Sequence, residues 1–516
     1  MQETSQAWKQ AQEQTLVPES YVEIILNVGD PDSQADASSD SSGEIYLSDS
    51  ASVVEEADKD PVRYALLEKN LWGLDGTFLI VPDEPPYGEN GYIGDVLSGD
   101  DGTFLEGEIP SMTISFSQVF LSLIPGITIS WGTAYGEWAE SYRVTVYKGT
   151  SQVLQKTVTG NRDVTSVFDQ DIEGYDRIVI EILKWCLPHH RARIENIIVG
   201  IERVYSKTDI MSYAHTLSVD PMSASLPMSQ IRFSIKNLNG EYNPDNPQGV
   251  EKYLMERQQI TARYGYKLNG SVEWIPAGVF FMSEWDAPQN GITATFSARD
   301  GIEYMGDPYT GTNSGTLMDI AQAAFQQANL PTMPDGSDRW EIDASLSGIA
   351  VPSEVDLSKN SVAEVIQLCA NAACCVFYQD RDGMFHVKPL PDGETDYEIN
   401  RFNSYANSEI SLTKQLKAVD INNGTYTLTV GTVGETQKVI NQLVSESRAQ
   451  SVAQWVADYL KNRRVLTGNF RADPRLDPID RVTNENQFSE TVVLVTEIQY
   501  TYNGAFRGSY EGRANV

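Results

Sequence analysis

A block of alternating side chains, broken once by a turn-rich loop, limits the folds open to residues 218–305. The loop spans residues 237–249, and the alternating apolar residues on its two sides are Ile231, Phe233, Ile235, Ile260, Ala262, Tyr264 and Tyr266. A period of two places successive side chains on opposite faces of a strand, and Gly, Asn and Pro in the loop favour turns. The pattern predicts a β-barrel with one long connection.

The first strand of this barrel lies far ahead of the block, at residues 21–28. Residues 32–43 form a Ser/Asp/Ala tract without an apolar period, which predicts a linker. Residues 45–200 contain short apolar runs bounded by Gly, Asp or Pro, a spacing typical of an antiparallel β-sandwich. Because a barrel must close, we expect the chain to return to the first strand, so that residues 45–200 are inserted.

Helical periodicity replaces strand periodicity in the middle of the chain. Apolar residues recur at helical spacing from Leu317 to Ala328, and Ser361 and Glu364 form a capping box ahead of a second helix. A hairpin follows, with its turn at residues 380–383. These elements predict a small α+β domain, after which strands resume around one more helix.

The charge balance excludes some functions. The 516 residues include 38 Lys and Arg against 72 Asp and Glu, a net charge of −34, which argues against a surface that grips nucleic acid. Such acidity fits the wall of a conduit through which DNA slides, and it equally keeps proteins apart in solution. Four cysteines without a disulfide framework indicate reduced folding in the cytosol, and no apolar run is long enough to span a membrane.

Motifs for catalysis and metal binding are missing from the sequence. Cys186, His189 and His190 form the only Cys/His cluster, and a zinc site would need a fourth ligand at a recognisable spacing. No nucleophile elbow, zinc-protease helix, phosphate loop or dinucleotide fingerprint occurs. We therefore predict no catalytic residues, no metal, no cofactor and no enzymatic activity.

Four aromatic residues in or beside predicted loops of the inserted sandwich are candidates for sugar binding, because aromatic rings stack on the apolar face of a pyranose. They are Trp72, Tyr92, Tyr135 and Trp138. The alternative is that these rings fix their loops to the sandwich.

Two phrases near the C-terminus carry a resemblance to a known family. Pro474, Arg475, Leu476, Pro478, Asp480 and Val482 match a phrase that precedes the last strands of the second barrel in phage tail hub, or baseplate hub, proteins. The hairpin at residues 502–510 also matches that family. The resemblance covers residues 1–28 and about 200–516, and the strand rhythm of the insert is similar to that of galactose-binding-like jelly rolls.

The resemblance implies a mainly β fold with an α+β part and five segments. These are a first tail-tube-like barrel (1–30 plus 201–312), an acidic Ser/Asp linker (31–44), a galactose-binding-like β-sandwich (45–200), a small α+β domain (313–390) and a second tail-tube-like barrel with an inserted helix (391–516).

It also implies a structural role at the distal end of a phage tail, in a virion assembled in the host cytoplasm. Three chains with two barrels each would match a six-fold tail tube on one face and a three-fold tip on the other. The implied partners are further copies in a homotrimer, the tail tube or distal tail protein ring, a tail-tip or central fibre protein, the tape-measure protein and host cell-wall polysaccharide. DNA would only pass through the lumen.

Charged residues of alternating sign in the hub-like phrase are candidates for contacts between neighbouring barrels. They are Arg471, Asp473, Arg475 and Asp480. A local turn held by its own Asp and Pro residues is the alternative.

Two other functional classes remain open on the sequence. One is a carbohydrate-binding adhesin or receptor-binding protein whose barrels are only a platform. The other is a tail-associated lysin that degrades peptidoglycan, although such enzymes normally carry their catalytic domain after the hub region.

Overall fold

The computed structural model describes residues 1–14, 18–55, 61–73, 75–84, 87, 90–246, 249–288, 291–331, 333, 337–391, 393, 397–485 and 490–515. Strands hold 44% of the residues and helices 15%, which confirms the predicted mainly β fold with an α+β part. None of the described helices is long and apolar enough to cross a membrane.

The N-terminal segment forms a helix and then the first strand. Helix α1 (Gln6–Glu13) is capped by the Ser5 hydroxyl, which accepts a hydrogen bond from the Trp8 amide. Trp8 is fully buried, and its ring meets the Tyr266 ring edge-on at 4.7 Å. Strand β1 (Ser20–Gly29) buries alternate residues, as its sequence period predicts.

The inserted unit follows β1 directly. It contains α2 (Pro31–Asp36), β2 (Ser38–Ser41), β3 (Tyr92–Leu97), β4 (Ser111–Phe120), β5 (Ile124–Ser130), β6 (Ala139–Lys148), β7 (Ser151–Thr159), β8 (Thr165–Ile172), β9 (Tyr175–Trp185), β10 (Arg191–Ile194) and β11 (Asn196–Ile198). A five-stranded antiparallel sheet, β2-β4-β9-β6-β7, and a three-stranded one, β11-β5-β8, enclose a core of their own. This is the expected antiparallel sandwich.

Residues 31–44 differ from the expected linker. The Asp30 carboxylate caps α2 by accepting the amides of Asp32 and Ser33, and Pro31 is well suited to the first helical position. Strand β2 then joins the edge of the five-stranded sheet through β4. An edge strand is held by main-chain hydrogen bonds, so a Ser/Asp sequence without apolar residues can form one.

The first group of barrel-like strands surrounds the return from the insert. It adds β12 (Gly200–Tyr205), β13 (Ile210–Ser218), β14 (Met228–Lys236), β15 (Gln259–Leu268), β16 (Ser271–Asp286) and β17 (Thr293–Arg299) to β1, in the order β12-β1-β15-β16-β17-β14-β13. Gly29 at the end of β1 lies opposite Gly200 at the start of β12. The insert therefore leaves and re-enters the sheet at one point.

A helical unit follows. It contains α3 (Leu317–Ala328), β18 (Trp340–Ile342), α4 (Val362–Ala373), β19 (Val376–Gln379) and β20 (Phe385–Lys388). Both helices begin with a capping box, Thr316 with Asp319 and Ser361 with Glu364. The predicted turn after β19 is present, closed by the Asp380 carboxylate, which accepts the amides of Asp382 and Met384.

The C-terminal part adds β21 (Glu398–Ile399), β22 (Glu409–Leu412), β23 (Ala418–Asn422), β24 (Thr427–Gly431), β25 (Thr436–Ile440), α5 (Glu446–Leu460), β26 (Arg464–Phe470), β27 (Arg481–Glu485), β28 (Glu490–Tyr502) and β29 (Phe506–Ala514). Strands β23 to β25 form a separate sheet, and with α5 they pack into the core of the helical unit. The expected division at residue 390 therefore does not separate two cores.

The two expected barrels are joined in one sheet. Pairing between β13 and β28 makes a 13-stranded sheet, and its apolar residues form one continuous core. The sequence predicts the two groups of strands but not this junction.

Candidate functional site

The two strand groups repeat one topology. We call β1 and β13 to β17 repeat one, and β21, β22 and β26 to β29 repeat two. Repeat one has the order β1-β15-β16-β17-β14-β13, and repeat two has the order β21-β27-β28-β29-β26-β22. Strands that match in space also match in chain order. One pair differs, because β21 is parallel to β27 whereas β1 is antiparallel to β15.

A matching bulge strengthens this equivalence. The register of the hairpin β16–β17 shifts at Ser283, and that of β28–β29 shifts at Thr496. The Ser283 hydroxyl donates to the carbonyl oxygen of Ser297 at 3.1 Å, and the Thr496 hydroxyl donates to that of Glu511 at 3.3 Å. In both repeats a hydroxyl residue thus occupies the bulge and bonds to the facing strand.

A matching turn precedes the strand ahead of that hairpin, β15 in repeat one and β27 in repeat two. Arg257 and Ile479 both lie in the left-handed region, with φ of 67° and 68°. The Arg257 amide donates to the Met282 carbonyl, and the Ile479 amide donates to that of Val495. Met282 and Val495 each come one residue before the bulge. The repeats therefore share local backbone geometry as well as strand order.

The junction between the repeats uses a different surface of each. Strand β13 is an outer strand of repeat one, and it pairs with the part of β28 beyond the bulge, from Ser218 opposite Glu497 to Tyr213 opposite Tyr502. In repeat two, β28 is an inner strand flanked by β27 and β29. The contact is therefore head-to-tail, since an outer strand of one repeat pairs with an inner strand of the other.

Arg381 connects the two repeats to the helical unit. It lies in the turn after β19, and its guanidinium forms an ion pair of 2.6 Å with Asp477. It also donates to the carbonyl oxygens of Pro276 in repeat one and of Pro474 and Leu476 ahead of β27. This role was not predictable from the sequence, because an arginine in a polar turn is usually exposed.

The charged residues predicted to contact a neighbouring barrel are mostly turned inward. Asp473 is fully buried and binds Arg475, whose Nε lies 3.0 Å from both carboxylate oxygens. Asp480 forms an ion pair of 2.7 Å with the Met1 amino group. Arg471 donates to the carbonyl oxygen of Gln14 at the end of α1. The Asp473–Arg475 pair is local, as in the alternative of a turn held by its own residues, whereas Asp480 and Arg471 bind the N-terminal segment. A contact with a neighbouring barrel stays a prediction.

A cavity of about 350 Å³ lies where the repeats meet the helical unit. Met1, Asp300, Arg381 and Asp480 are among the residues that line it. Burial raises the pKa of Asp300 to about 7, although the amides of Ser229 and Ile302 donate to its carboxylate. The cavity therefore has a carboxyl group in its wall that changes charge near neutral pH.

The insert has a second cavity, of about 320 Å³. Arg63, Phe78, Tyr135 and His190 are among its lining residues, so two aromatic rings, a guanidinium and an imidazole line one space. Trp72, on the same loop as Phe78, has 69% of its surface exposed.

Only Tyr135 of the four predicted sugar-binding aromatics lines this cavity. Tyr92 is fully buried in β3, and Trp138 packs partly against the sandwich core. Both rings pack against the sandwich, in keeping with the alternative that the sequence left open, and sugar binding by these residues stays a prediction. Trp72 is exposed outside the cavity lining.

Glu137 of the cavity lining belongs to a network of buried charges. The Arg193 guanidinium binds Glu68 at 2.7 Å and Glu137 at 3.2 Å and lies 4.5 Å from the Tyr135 ring centre. Burial would raise the pKa of Glu137, but hydrogen bonds from His190 and Trp185 and the charge of Arg193 outweigh burial and lower that pKa. Glu137 is thus held in a paired ionic network and is not a free carboxylate.

The Cys/His cluster of the sequence is dispersed in the structure. Burial raises the pKa of the Cys186 thiol to about 11, and its sulfur accepts the Trp138 amide. His190 faces Glu137, whereas His189 lies 3.1 Å from Asp100. Within the described residues, no group of three or more His, Cys, Asp or Glu side chains could hold a metal ion.

Comparison with known proteins gives structural neighbours but no sequence relatives. No protein-family model matches the chain, and no curated protein matches it. Three solved structures that are similar to the chain are tail proteins.

One, a tail protein from Neisseria meningitidis MC58, is 13% identical with a TM-score of 0.44, over 61% of this chain and 93% of its own. The 43 kDa tail protein of prophage MuSo2 from Shewanella oneidensis is 12% identical with a TM-score of 0.42, over 60% of this chain and 94% of its own. A prophage tail protein from Listeria monocytogenes EGD-e is 13% identical with a TM-score of 0.37, over 61% and 91%. All three likenesses leave about two fifths of this chain unmatched.

Proposed function

We propose that this chain is a structural hub of a phage tail, built as a homotrimeric ring at the distal end of the tail tube. The observation that supports this most directly is the internal repeat with its head-to-tail junction. A head-to-tail contact leaves one unmatched surface on each repeat, through which further copies can close a ring or extend a filament. Two repeats per chain make a ring of three chains nearly six-fold on the face that meets the tube.

The proposed hub has partners on both faces. Its six-fold face would bind the tail tube or the distal tail protein ring, and its three-fold face a tail-tip or central fibre protein. The tape-measure protein and then DNA would pass through the lumen. A net charge of −34 favours passage, because an acidic wall does not hold phosphates. The proposed role involves no catalysed reaction.

Electron microscopy and light scattering of the purified chain test this proposal. We expect three-fold rings with an open centre and a mass three times the chain mass of 57.3 kDa. A chain that stays monomeric at high micromolar concentration, or closes with another number of copies, would contradict the hub.

A second function is proposed for the insert, namely binding of a host cell-wall polysaccharide. The supporting observation is the cavity of about 320 Å³ that contains Phe78 and Tyr135. A saccharide could stack on these rings and bond to Arg63 and His190, which line the same cavity.

Co-sedimentation of the whole chain with purified host wall polysaccharide tests the second function. We expect Phe78→Ala to weaken binding, and Tyr46→Ala, which removes another aromatic ring of the insert that is 68% exposed, to leave binding unchanged. Equal binding by both variants would show that this cavity is not the polysaccharide site. Polysaccharide binding by a monomeric chain would instead favour the adhesin.

A further inference from the structure

The geometry points to a specific contact between neighbouring chains. We propose that β22 of one copy pairs, antiparallel, with residues 284–286 at the end of β16 in the next copy. This contact would reproduce between chains the junction that β13 and β28 form within one chain. It rests on the proposed ring and names the surfaces that close it.

Strands β22 and β13 occupy equivalent positions in the two repeats. His215 of β13 lies opposite Ile231, which in turn lies opposite Ala298 next to the repeat-one bulge. Ile410 of β22 lies opposite Leu466, which in turn lies opposite Gly512 next to the repeat-two bulge. Ile410 therefore corresponds to His215.

Two positions further along, Leu412 corresponds to Leu217. Thr413 corresponds in the same way to Ser218, since its amide continues the ladder by donating to the carbonyl oxygen of Arg463. The register of the intrachain junction can thus be transferred to β22 residue by residue.

The apolar residues of these two strands differ in exposure to solvent. In β13, His215 is fully buried and Leu217 is 7% exposed. In β22, Ile410 is 47% exposed and Leu412 is 62% exposed, and all four residues of the strand are exposed. Apolar residues are costly to leave in water, and an unpaired edge strand is open to pairing with another chain.

Repeat one has a strand segment with a free hydrogen-bonding edge that could accept β22. Beyond its bulge, β28 pairs with β29 on one side and with β13 on the other. The equivalent residues of β16, 284–286, pair with β17 on one side, and the other side has no strand partner among the described residues. Repeat two thus carries one half of the contact, in β22, and repeat one carries the other half, in residues 284–286. The same contact is complete within the chain, between β13 and β28.

Transfer of the register predicts which residues face each other. Leu217 lies opposite Ile498 in the intrachain junction, so Leu412 should lie opposite Trp285 of the next copy. By the same transfer, Ser411 should lie opposite Asp286. Main-chain hydrogen bonds would supply affinity, and the apolar pair of Leu412 and Trp285 would supply specificity.

Cysteine cross-linking of the whole chain tests the register. Directly opposed residues of antiparallel strands have Cα atoms about 4.5–5.5 Å apart, within the range that a disulfide spans. We expect the double variant Ser411→Cys, Asp286→Cys to form covalent multimers of up to three chains on mild oxidation. The control pairs Ser411→Cys with Ser271→Cys, at the far end of β16, and should not.

An interface variant separates this contact from the proposed ring itself. Leu412→Glu should raise the concentration at which the assembly dissociates by at least about tenfold, since it places a charge in an apolar contact. Val433→Glu is the matched control, because Val433 is fully exposed on another loop. It should leave the assembly unchanged.

The outcomes distinguish two failures. A trimer that persists in Leu412→Glu and does not cross-link through the double variant would overturn this contact and leave the hub intact. A wild-type chain that is monomeric would overturn both proposals. Cross-linked trimers in the predicted register, weakened by Leu412→Glu alone, would support both.

Discussion

Arg381 is one side chain that holds the helical unit against both repeats. Its guanidinium reaches Pro276, Pro474, Leu476 and Asp477, and its side chain is 3% exposed. A buried arginine is tolerated only where its charge and donors are satisfied, and each of the three Arg381 nitrogens donates to an acceptor. The same residue lies 5.8 Å from the ring centre of Tyr264.

Arg381→Ala should lower the free energy of unfolding by about 3–5 kcal/mol, since it leaves the Asp477 carboxylate without its cation. Arg507→Ala, which removes an exposed arginine of β29, should change it by less than about 0.5 kcal/mol. Chemical denaturation of both variants measures the difference. A stable Arg381→Ala protein would show that Asp477 finds another partner.

Asp300 gives the chain a defined pH dependence. Its pKa in the folded chain is about 7, against about 3.9 in an unfolded chain. Between these values the folded state binds the extra proton, so stability contributed by this group is greatest below about pH 4 and falls as the pH rises to about 7.

The slope of this loss should reach about 1.4 kcal/mol per pH unit and be absent from Asp300→Asn. Denaturation midpoints of both proteins at pH 5 and pH 7.5 provide the measurement. Parallel pH profiles would show that Asp300 is ionised throughout.

At the scale of elements, the two repeats reach the same geometry with different residues. The left-handed turn position is Arg257 in one repeat and Ile479 in the other, and the bulge is Ser283 in one and Thr496 in the other. A β-branched residue is strained at positive φ, so the turn is imposed on Ile479 by the strands that it connects.

Ile479→Gly should therefore change stability by less than about 1 kcal/mol, because relief of backbone strain offsets the lost side chain. The same substitution at Ile498, fully buried in β28, should cost more than about 3 kcal/mol. Thermal unfolding of the two variants compares them. Equal losses would mean that Ile479 is not strained.

At the scale of the molecule, the insert is a unit with its own core, and the chain enters and leaves it at one pair of residues. Its apolar cluster shares no residue with the core of the 13-stranded sheet. Gly29 and Gly200 face each other at its root, and the Thr128 hydroxyl reaches the Gly200 carbonyl. By contrast, Val419 and Ile421 of β23 lie in the core of the helical unit.

Replacement of residues 30–199 by an Asn-Gly turn should leave a folded chain with unchanged oligomeric state, because the turn closes β1 and β12 as a hairpin. Deletion of residues 418–440 should instead unfold the helical unit. Light scattering and circular dichroism distinguish these results. Aggregation of the first variant would show that the sheet needs the insert.

Local interactions are what the sequence by itself determined. The capping box of Ser361 and Glu364, the turn at residues 380–383 and the alternating burial of β1 all follow from neighbours in the chain. The mainly β character and the resemblance to tail hubs also come from such local patterns.

Only the tertiary structure decided which elements share a core and which surfaces remain free. The pairing of β13 with β28 joins residues almost 300 positions apart, and Arg381 meets Asp477 across 96 positions. Residue type sets the period of a strand but not its neighbour, because main-chain hydrogen bonds are the same for every pair. The sequence could therefore predict two groups of strands, whereas their common order, their head-to-tail junction and the exposed edge of β22 required the folded chain.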